Sequence, residues 1–286
     1  MRYDEKITYV KDGPFFIIKF NSPSTLNSLT GDDYIYIAEL LGLADEDKDI
    51  YFTVLQSTGR FFSSGADFKS IAIAEQHEAA SKKPTTAPNE VARHHDELQK
   101  WLAYFSSRNV NVTNAFNQHS KVLVCCLNGP VIGFSAAICC LCDLVYVMNE
   151  KVYMLFPFAN LGLVTEGAVA STLPRLVGSR SSFESLLFAK PVTFPEMSRA
   201  GLVNKNYSLN DTDKFNDQVL AELKEKIDGL HLPSCLGIKK LMKLEWEDRI
   251  ERINSLEVND GVKYWVKGEP QKRFRQVGSK QRKHKL

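Results

Sequence analysis

The sequence predicts an α/β protein, and three observations support this fold class. Short segments rich in β-branched and aromatic residues alternate with segments of helical periodicity over residues 1–208. The segments after residue 208 keep the helical period and show no strand pattern. The 286 residues are 44% hydrophobic and 24% charged, which is the balance of a globular protein with an ordinary core. We therefore expect a core domain over residues 1–208 with a mainly parallel sheet. A helical region over residues 209–286 is expected to complete the pocket and mediate oligomerisation.

The first predicted elements are a hairpin and a β-α-β unit. Residues 14–21, with the sequence PFFIIKFN, follow the turn signal Asp12-Gly13 and are expected to pair with residues 7–10. Thr30 can cap the next helix, because a periodic apolar segment follows it. Residues 51–56, with the sequence YFTVLQ, then form a buried strand.

A second unit of the same kind is predicted after a polar loop. Residues 76–90 (QHEAASKKPTTAPNE) hold two prolines and no periodicity, which predicts a mobile loop that covers another part of the protein. A helix from Glu90 to Gln118 follows, and its apolar stripe is Leu98, Leu102, Phe105, Val112 and Phe116. Strands are then expected over residues 121–127 and 143–147, with a turn and a short apolar helix between them.

Charge and cysteine content exclude several classes of function. Residues 267–286 hold eight Lys or Arg and one acid, while the rest of the chain holds 28 basic and 33 acidic residues. The basic end is therefore interpreted as a solvated terminus, and no nucleic-acid partner is expected because no binding module is present. Five of the six cysteines lie within residues 125–142 without a histidine at ligand spacing, so we expect core residues and no metal site.

No targeting or membrane segment is expected in the first 150 residues. Residues 1–11 lack the apolar core of a signal peptide and the Arg-rich pattern of a mitochondrial one, which indicates an intracellular, reducing compartment. Residues 122–148 are apolar, but Asn128-Gly129-Pro130 breaks the segment and Asp143 adds a charge. No membrane span is therefore predicted.

Two glycine-containing turns, each after an apolar strand, are the candidate ligand site. The first turn is STGRFFSSGADF at residues 57–68, where Asp67 is expected to cap a helix that begins at Phe68, and the second is NGPVIGFSAA at residues 128–137. If the turns meet, the backbone N–H groups of Ala66 and Phe134 could bind one oxyanion. Neither turn matches the dinucleotide-binding or P-loop pattern.

Both turns resemble the signatures of the crotonase, or enoyl-CoA hydratase/isomerase, superfamily. Its motifs are an aromatic-rich F-S-S-G-A-D turn after a glycine and a later N-G-x-x-x-G turn, and the resemblance covers about residues 7–230. It implies a crotonase-like ββα spiral core and a homotrimer or homohexamer. It also implies a fatty acyl-CoA substrate, with no cofactor besides the coenzyme A that the substrate carries.

The resemblance also implies the binding residues. In this superfamily the two turns supply the N–H pair that holds the thioester carbonyl, and this assigns the pair to Ala66 and Phe134. The implied substrate-binding residues are Ser64, Gly65, Ala66, Asp67, Phe68 and Phe134. Of these, residues 64–68 are also expected to border the pantetheine and nucleotide portions.

The expected reaction depends on which carboxylates accompany this pair. The two glutamates of family hydratases would match Ala137 and Phe158, so hydration is not expected. Glu166 lies in the segment FANLGLVTEG, which resembles the Δ3-Δ2-enoyl-CoA isomerases of fungal peroxisomes. The implied activity is isomerisation of 3-enoyl-CoA to trans-2-enoyl-CoA in β-oxidation of unsaturated fatty acids, with Glu166 as the base. In the other interpretation, Glu166 is a dipole-stabilising acid in a helical turn capped by Thr165.

Two other functions stay open. A dienoyl-CoA isomerase would need an additional acid that the matching turns lack, and a crotonase-fold protein could bind acyl-CoA or a partner without turnover. Asn109 interrupts the apolar stripe of its helix, so it makes either a structural hydrogen bond or a contact with Glu166.

The C-terminal residues predict the subcellular location. His284, Lys285 and Leu286 resemble the Ser-Lys-Leu peroxisomal signal, which implies a peroxisomal import receptor as a partner.

Overall fold

The computed structural model describes residues 2–67 and 89–279, and their strands form two sheets. The strands are β1 (Ile7–Asp12), β2 (Phe15–Phe20), β3 (Phe52–Ser57), β4 (Val122–Leu127), β5 (Val131–Ile132), β6 (Leu144–Val147), β7 (Tyr153–Leu155), β8 (Val192–Thr193) and β9 (Lys205–Asn206). The six-stranded sheet has the order β1-β2-β3-β4-β6-β9 and is parallel except for the β1/β2 hairpin. The smaller sheet has the order β5-β7-β8. The predicted α/β class is confirmed.

Helices connect and cover these strands. They are α1 (Tyr3–Lys6), α2 (Gly31–Glu46), α3 (Glu90–Trp101), α4 (Ser107–Asn117), α5 (Phe134–Cys139), α6 (Val169–Val177), α7 (Ser179–Phe188), α8 (Phe194–Ala200), α9 (Thr212–Ile227), α10 (Leu232–Lys243), α11 (Glu247–Val266) and α12 (Glu269–Gly278). Thr30 caps α2 as predicted: its hydroxyl accepts the Asp33 N–H at 3.2 Å, and the Asp33 carboxylate accepts the Thr30 N–H at 2.8 Å.

The inner strands β2, β3, β4 and β6 are buried on both faces of the six-stranded sheet, and successive side chains point to opposite sides. In β2, Phe16 and Ile18 join the cluster that includes α2 and α4, while Phe15 and Ile17 join the cluster that includes α9. Cys125 and Cys126 divide between the two clusters in the same way. Cysteines 125, 126, 139 and 140 are buried, as the sequence predicted.

The predicted helix over residues 90–118 contains one irregular turn. Residues Leu102–Ser106 form a π-helix between α3 and α4. This wider turn changes which side chains face inward, so Trp101 is buried and Leu102 is 44% exposed. The prediction for Leu102 was therefore wrong. The stripe resumes after the π-turn, where Phe105 and Asn109 are buried.

The predicted helical region is present up to residue 266, but the solvated terminus predicted for the basic end of the chain is not. Residues 269–278 form α12 instead of a solvated terminus, and Phe274 on this helix is only 4% exposed. Gly268, with φ +75°, permits the sharp turn from α11, and the Gln271 amide donates to the Trp265 carbonyl at 2.8 Å. The side chain of Phe274 thus provides the apolar anchor that charge counting overlooked.

Some sequence predictions lie outside the described residues. They concern the helix from Phe68, nearly all of the loop over residues 76–90, and the tripeptide from His284 to Leu286. At the end of that loop, Asn89 caps α3 by accepting the Ala92 N–H at 2.9 Å. Every helix within residues 2–67 and 89–279 is too short or too polar to cross a bilayer.

Candidate active site

The two glycine-containing turns lie side by side. The Ile132 N–H donates to the Ser63 carbonyl at 3.0 Å, and an isolated parallel bridge joins Ser63 to Val131. Gly65 has φ +82°, and a Cβ on it would lie 2.6 Å from the Ile132 carbonyl oxygen. Only glycine fits here, because the turns approach each other through their backbones.

Two backbone donors line one cavity where these turns meet. Phe134 is the first residue of α5, and Ala66 lies between Gly65 and Asp67 in the facing turn. The N–H groups of Ala66 and Phe134 have no hydrogen-bond acceptor among the described residues. Both residues line a cavity of about 1310 Å³. A buried polar atom of a ligand, such as a thioester oxygen, would satisfy these donors.

A row of hydroxyl groups lies beneath the two turns. The Tyr34 hydroxyl is 2.8 Å from the Ser135 hydroxyl, which is 2.9 Å from that of Ser63. Ser63 accepts the Gly65 N–H at 3.1 Å and donates to the Asn27 carbonyl at 2.8 Å. These bonds fix the backbone on both sides of the donor pair.

Glu166 lies on the same cavity, in the loop before α6. The residue is 7% exposed, and burial raises the pKa of its carboxyl to about 7, although the Arg108 guanidinium and the Asn109 amide favour the charged form. The following residue, Gly167, has φ +71°, and a Cβ there would lie 2.8 Å from the Ala137 Cβ and 3.3 Å from the Phe134 ring. The loop is therefore pressed against the residue that provides one donor of the pair.

Arg108 and Asn109 form the wall beside Glu166. Asn109 is fully buried, and its Oδ1 accepts two hydrogen bonds from the Arg108 guanidinium, at 3.1 Å from Nε and 2.9 Å from Nη2. The Asn109 Nδ2 has no partner of ordinary length within residues 2–67 and 89–279, and the nearby Glu166 carboxyl is the acceptor that it could reach. Arg108 is half-buried and lines the cavity.

The other acids of the cavity differ from Glu166 in exposure. Among its described lining residues, Asp32 and Asp96 are exposed, and Asp67 and Glu97 are half-buried. Ala137 and Phe158, where the resemblance to the hydratases would place two glutamates, are both buried and apolar. Glu166 is thus the buried carboxyl among the described residues that line this cavity.

One part of the cavity wall is apolar and is formed partly by the C-terminal helices. Its apolar lining residues include Trp101, Phe105, Leu161, Leu163, Trp265 and Phe274. The rings of Trp101 and Trp265 stack at 4.4 Å, and Trp265 and Phe274 come from α11 and α12. Such a wall suits a hydrocarbon chain. No cluster of three His, Cys, Asp or Glu side chains fit to hold a metal occurs in the part of the chain that the structure describes.

The structure brings most of the predicted site residues together. Ser64, Gly65, Ala66, Asp67, Phe134 and Glu166 all line the cavity, and Asn109 lies behind it. Phe68 lies outside the described residues. Sequence reasoning missed Arg108, although it adjoins Asn109, and it missed Tyr34, which lies in the apolar segment of α2.

This arrangement of paired turns, unbonded backbone donors and a buried acid is that of a crotonase-fold acyl-thioester enzyme, and sequence comparison agrees. The chain belongs to the enoyl-CoA hydratase/isomerase family, whose model matches residues 13–232. The resemblance inferred from the two turns is confirmed.

Individual relatives cover the chain almost completely. It is 54% identical to the 3,2-trans-enoyl-CoA isomerase of Saccharomyces cerevisiae, over 100% of this chain and 99% of the relative. It is 41% identical to the Delta(3,5)-Delta(2,4)-dienoyl-CoA isomerase of the same organism, over 98% of this chain and 99% of the relative. A crystal structure of an enoyl-CoA hydratase/isomerase from Pseudoalteromonas atlantica superposes with a TM-score of 0.77 at 19% identity, covering 98% of this chain and 100% of that one. The crotonase-like fold is confirmed.

Proposed function

We propose that this chain is a Δ3-Δ2-enoyl-CoA isomerase that converts 3-enoyl-CoA to trans-2-enoyl-CoA in the β-oxidation of unsaturated fatty acids. One observation carries the proposal: Glu166, the one buried carboxyl among the described lining residues, shares a cavity with two unbonded backbone donors, while Ala137 and Phe158 occupy the hydratase positions. A 54% identical relative named for the same reaction supports it.

The proposed reaction needs one proton carrier and one oxyanion site. Glu166 takes a proton from C2 of the 3-enoyl thioester, and the electron pair of that C–H bond delocalises onto the thioester oxygen. The N–H groups of Ala66 and Phe134 stabilise the resulting dienolate. The proton then returns from Glu166 to C4, the carbonyl re-forms, and the double bond lies between C2 and C3.

The pKa of Glu166 suits both halves of this reaction. A carboxyl with a pKa of about 7 is present in both protonation states near neutral pH. Its carboxylate is a stronger base than that of an ordinary glutamate, so it can accept the C2 proton and hold it until C4 takes it. The apolar side chains of Ala137 and Phe158 offer no group to activate water, so the dienolate is reprotonated instead of hydrated. No separate cofactor enters the proposed reaction.

A 3,5-dienoyl-CoA substrate is the second candidate, because the 41% identical relative is named for that isomerisation. Moving two double bonds requires a proton to be delivered further along the chain than C4. Among the described lining residues, the acids other than Glu166 are exposed, as Asp96 is, or half-buried, as Asp67 and Glu97 are. We therefore rank this reaction second.

The test is a direct assay of the purified protein without added metal or nicotinamide. We expect trans-3-hexenoyl-CoA to give the ultraviolet absorbance of a conjugated thioester, with crotonyl-CoA hydrated far more slowly and a 3,5-dienoyl-CoA isomerised more slowly. Hydration as fast as isomerisation would contradict the proposal. Acyl-CoA binding with neither activity would favour a binding protein without turnover.

Glu166→Gln tests the role of the base. The variant should lower kcat by at least about 10³-fold, since general base catalysis contributes about 10²- to 10⁴-fold and one group serves two carbons here. Acyl-CoA affinity should change little, and exchange of the C2 proton with deuterium should stop. Asp96→Asn, which neutralises an exposed acid of the same cavity, is the matched control and should remain active.

Assembly and location are further parts of the proposal. We propose a homotrimer or homohexamer, supported by large apolar side chains that α7 and α10 expose. These exposed side chains are Phe183, Leu187, Phe188, Ile238, Leu241 and Met242. Light scattering on the purified protein measures the subunit number, and a monomer would contradict this part.

A peroxisomal location rests on the tripeptide from His284 to Leu286. Deleting these three residues should move the protein to the cytosol and leave its activity intact. The experiment belongs in cells that lack the unmodified copy, because an intact subunit could carry the variant into the organelle. Persistent import in such cells would contradict the signal.

A further inference from the structure

A second buried carboxylate lies directly behind the loop that carries Glu166. Glu257 belongs to α11 and is 6% exposed. Its Oε2 accepts the Ala168 N–H at 2.7 Å, and its Oε1 accepts the Ala170 N–H at 3.0 Å. The two bonds hold the backbone two and four residues after Glu166.

The helix that follows the loop, α6, has no side-chain cap of its own. Ala168 is the N-cap residue of α6 and has no polar side chain, and its φ of +58° is a left-handed conformation that alanine adopts at a cost. Thr165 does not cap the helix, which begins four residues later at Val169. The cap is supplied across the fold by Glu257 instead.

We propose that Glu257 is a positioning residue for the isomerisation: its carboxylate holds the loop between Thr165 and Ala170, and thereby sets the Glu166 carboxyl relative to the oxyanion donors. The inference rests on the proposed role of Glu166. Glu257 itself is not catalytic, because both of its oxygens bind backbone N–H groups and it lies outside the residues that line the cavity.

The charge of Glu257 adds a second effect, which a neutral cap would not produce. Burial and the nearby charge of Glu166 raise the pKa of Glu257 to about 7, while its hydrogen bonds with Ala170, Thr165 and Ala168 oppose this. The interaction is reciprocal, so an ionised Glu257 also disfavours the charged form of Glu166. The other groups that act on Glu166 are Arg108 and Asn109, which favour its charged form.

Two variants of Glu257 separate the effect of its side-chain length from the effect of its charge. Glu257→Gln keeps the length but offers one acceptor, so kcat should fall by about 10- to 100-fold, in line with the cost of misplacing a reacting group by about 1 Å. Loss of the like charge also lowers the pKa of Glu166, so the acid limb of the pH profile of kcat/KM should move to lower pH. Glu257→Asp keeps the charge but is too short to bind both N–H groups. Its kcat should fall while its acid limb stays in place.

Asp143→Asn is the matched control. The Asp143 carboxylate accepts the Leu123 N–H at 2.7 Å and pairs with Lys239 at 2.6 Å, away from the cavity. The amide oxygen of this variant can still accept the Leu123 N–H, but the charge that pairs with Lys239 is lost, so the variant reports the effect of destabilisation alone. We expect it to leave kcat and the acid limb unchanged when assayed below its melting temperature.

The outcomes distinguish this proposal from that for Glu166. If Glu166→Gln is inactive but Glu257→Gln matches the control in kcat and acid limb, the positioning role is overturned and the base assignment stands. If Glu166→Gln stays active, the base assignment fails and the positioning role fails with it. If Glu257→Gln does not fold, the pKa of Glu257 is measured instead, from its infrared carboxyl stretch in the wild type and in Glu166→Gln. A lower pKa of Glu257 in Glu166→Gln than in the wild type supports the proposal, and an unchanged pKa overturns it.

Discussion

The hydroxyl oxygen of Ser63 lies 2.9 Å from that of Ser135, and this contact joins the two turns that carry the oxyanion donors. The single hydrogen of the Ser63 hydroxyl is used for the Asn27 carbonyl, so Ser135 must donate to Ser63. Ser135 then accepts from Tyr34, at 2.8 Å. The direction of the whole row is thereby determined, from the Tyr34 hydroxyl to the Asn27 carbonyl.

Ser135→Ala tests the importance of this row. The change leaves the buried Tyr34 hydroxyl without an acceptor, which should cost about 1–3 kcal/mol in the free energy of unfolding. The Phe134 N–H should also lose its fixed position. We expect kcat to fall about 10-fold, less than the roughly 10²- to 10³-fold that follows outright removal of an oxyanion donor.

Urea unfolding and steady-state kinetics measure these two effects. Ser182→Ala is the control, because Ser182 is also buried and its hydroxyl donates to the Gly178 carbonyl at 2.9 Å. This bond lies away from the cavity. A Ser135→Ala variant with the kinetics of this control would show that the row supports stability only.

Local patterns allowed most of the fold to be predicted from the sequence, and they also explain what was missed. The cap at Thr30 and the β-forming residues of β2 are signals carried by neighbours in the chain, and the turns with Ala66 and Phe134 each follow an apolar strand. The Ser135–Tyr34 contact joins residues 101 positions apart, and the Glu257–Ala168 bond joins residues 89 apart. Such pairs leave no periodic signal.

Gly167→Ala should disturb the loop of Glu166 in two ways. A side chain at φ +71° is strained, and its Cβ would lie 2.8 Å from the Ala137 Cβ. Gly201→Ala introduces the same strain at φ +77° with no atom within 4 Å, so it isolates the cost of backbone conformation. We expect both variants to lose about 1 kcal/mol from backbone strain, and Gly167→Ala alone to lose kcat. Equal kinetics in the two variants would contradict the tight fit against Ala137 and Phe134.

The pH dependence of the reaction follows from the pKa of Glu166. The base must be ionised to remove a proton, so kcat/KM should fall as the pH decreases through about 7 and not through the ordinary glutamate value of 4.5. The measurement is kcat/KM from pH 5 to pH 9, within the range where the protein stays folded. An acid limb near pH 4.5 would show that the carboxyl is solvated in the free enzyme and that burial does not tune it.

The same pKa predicts that the ionised Glu166 carboxylate destabilises the folded wild-type protein. The pKa of Glu166 is about 7 in the folded state against 4.5 when unperturbed, so the folded state holds the proton more tightly. Its favourable contribution is complete below pH 4.5 and is lost as the pH rises through 7. Above that pH the buried carboxylate should cost up to about 3 kcal/mol, at 1.36 kcal/mol for each pH unit of the shift. Glu166→Gln should therefore be more stable than the wild type at pH 8, and the difference should shrink at pH 5.

Urea unfolding at both pH values measures this difference, and Glu222→Gln provides a control of opposite sign. Hydrogen bonds from Lys205, Lys226 and Tyr207 outweigh burial and lower the pKa of Glu222 to about 2. Its stabilising contribution is therefore present above pH 4.5 and lost as the pH falls towards 2. Glu222→Gln should be less stable than the wild type at pH 8, whereas Glu166→Gln should be more stable. If Glu166→Gln is destabilised at pH 8 as Glu222→Gln is, the Glu166 carboxylate is held by favourable partners in the free enzyme, and its proposed tuning by burial is wrong.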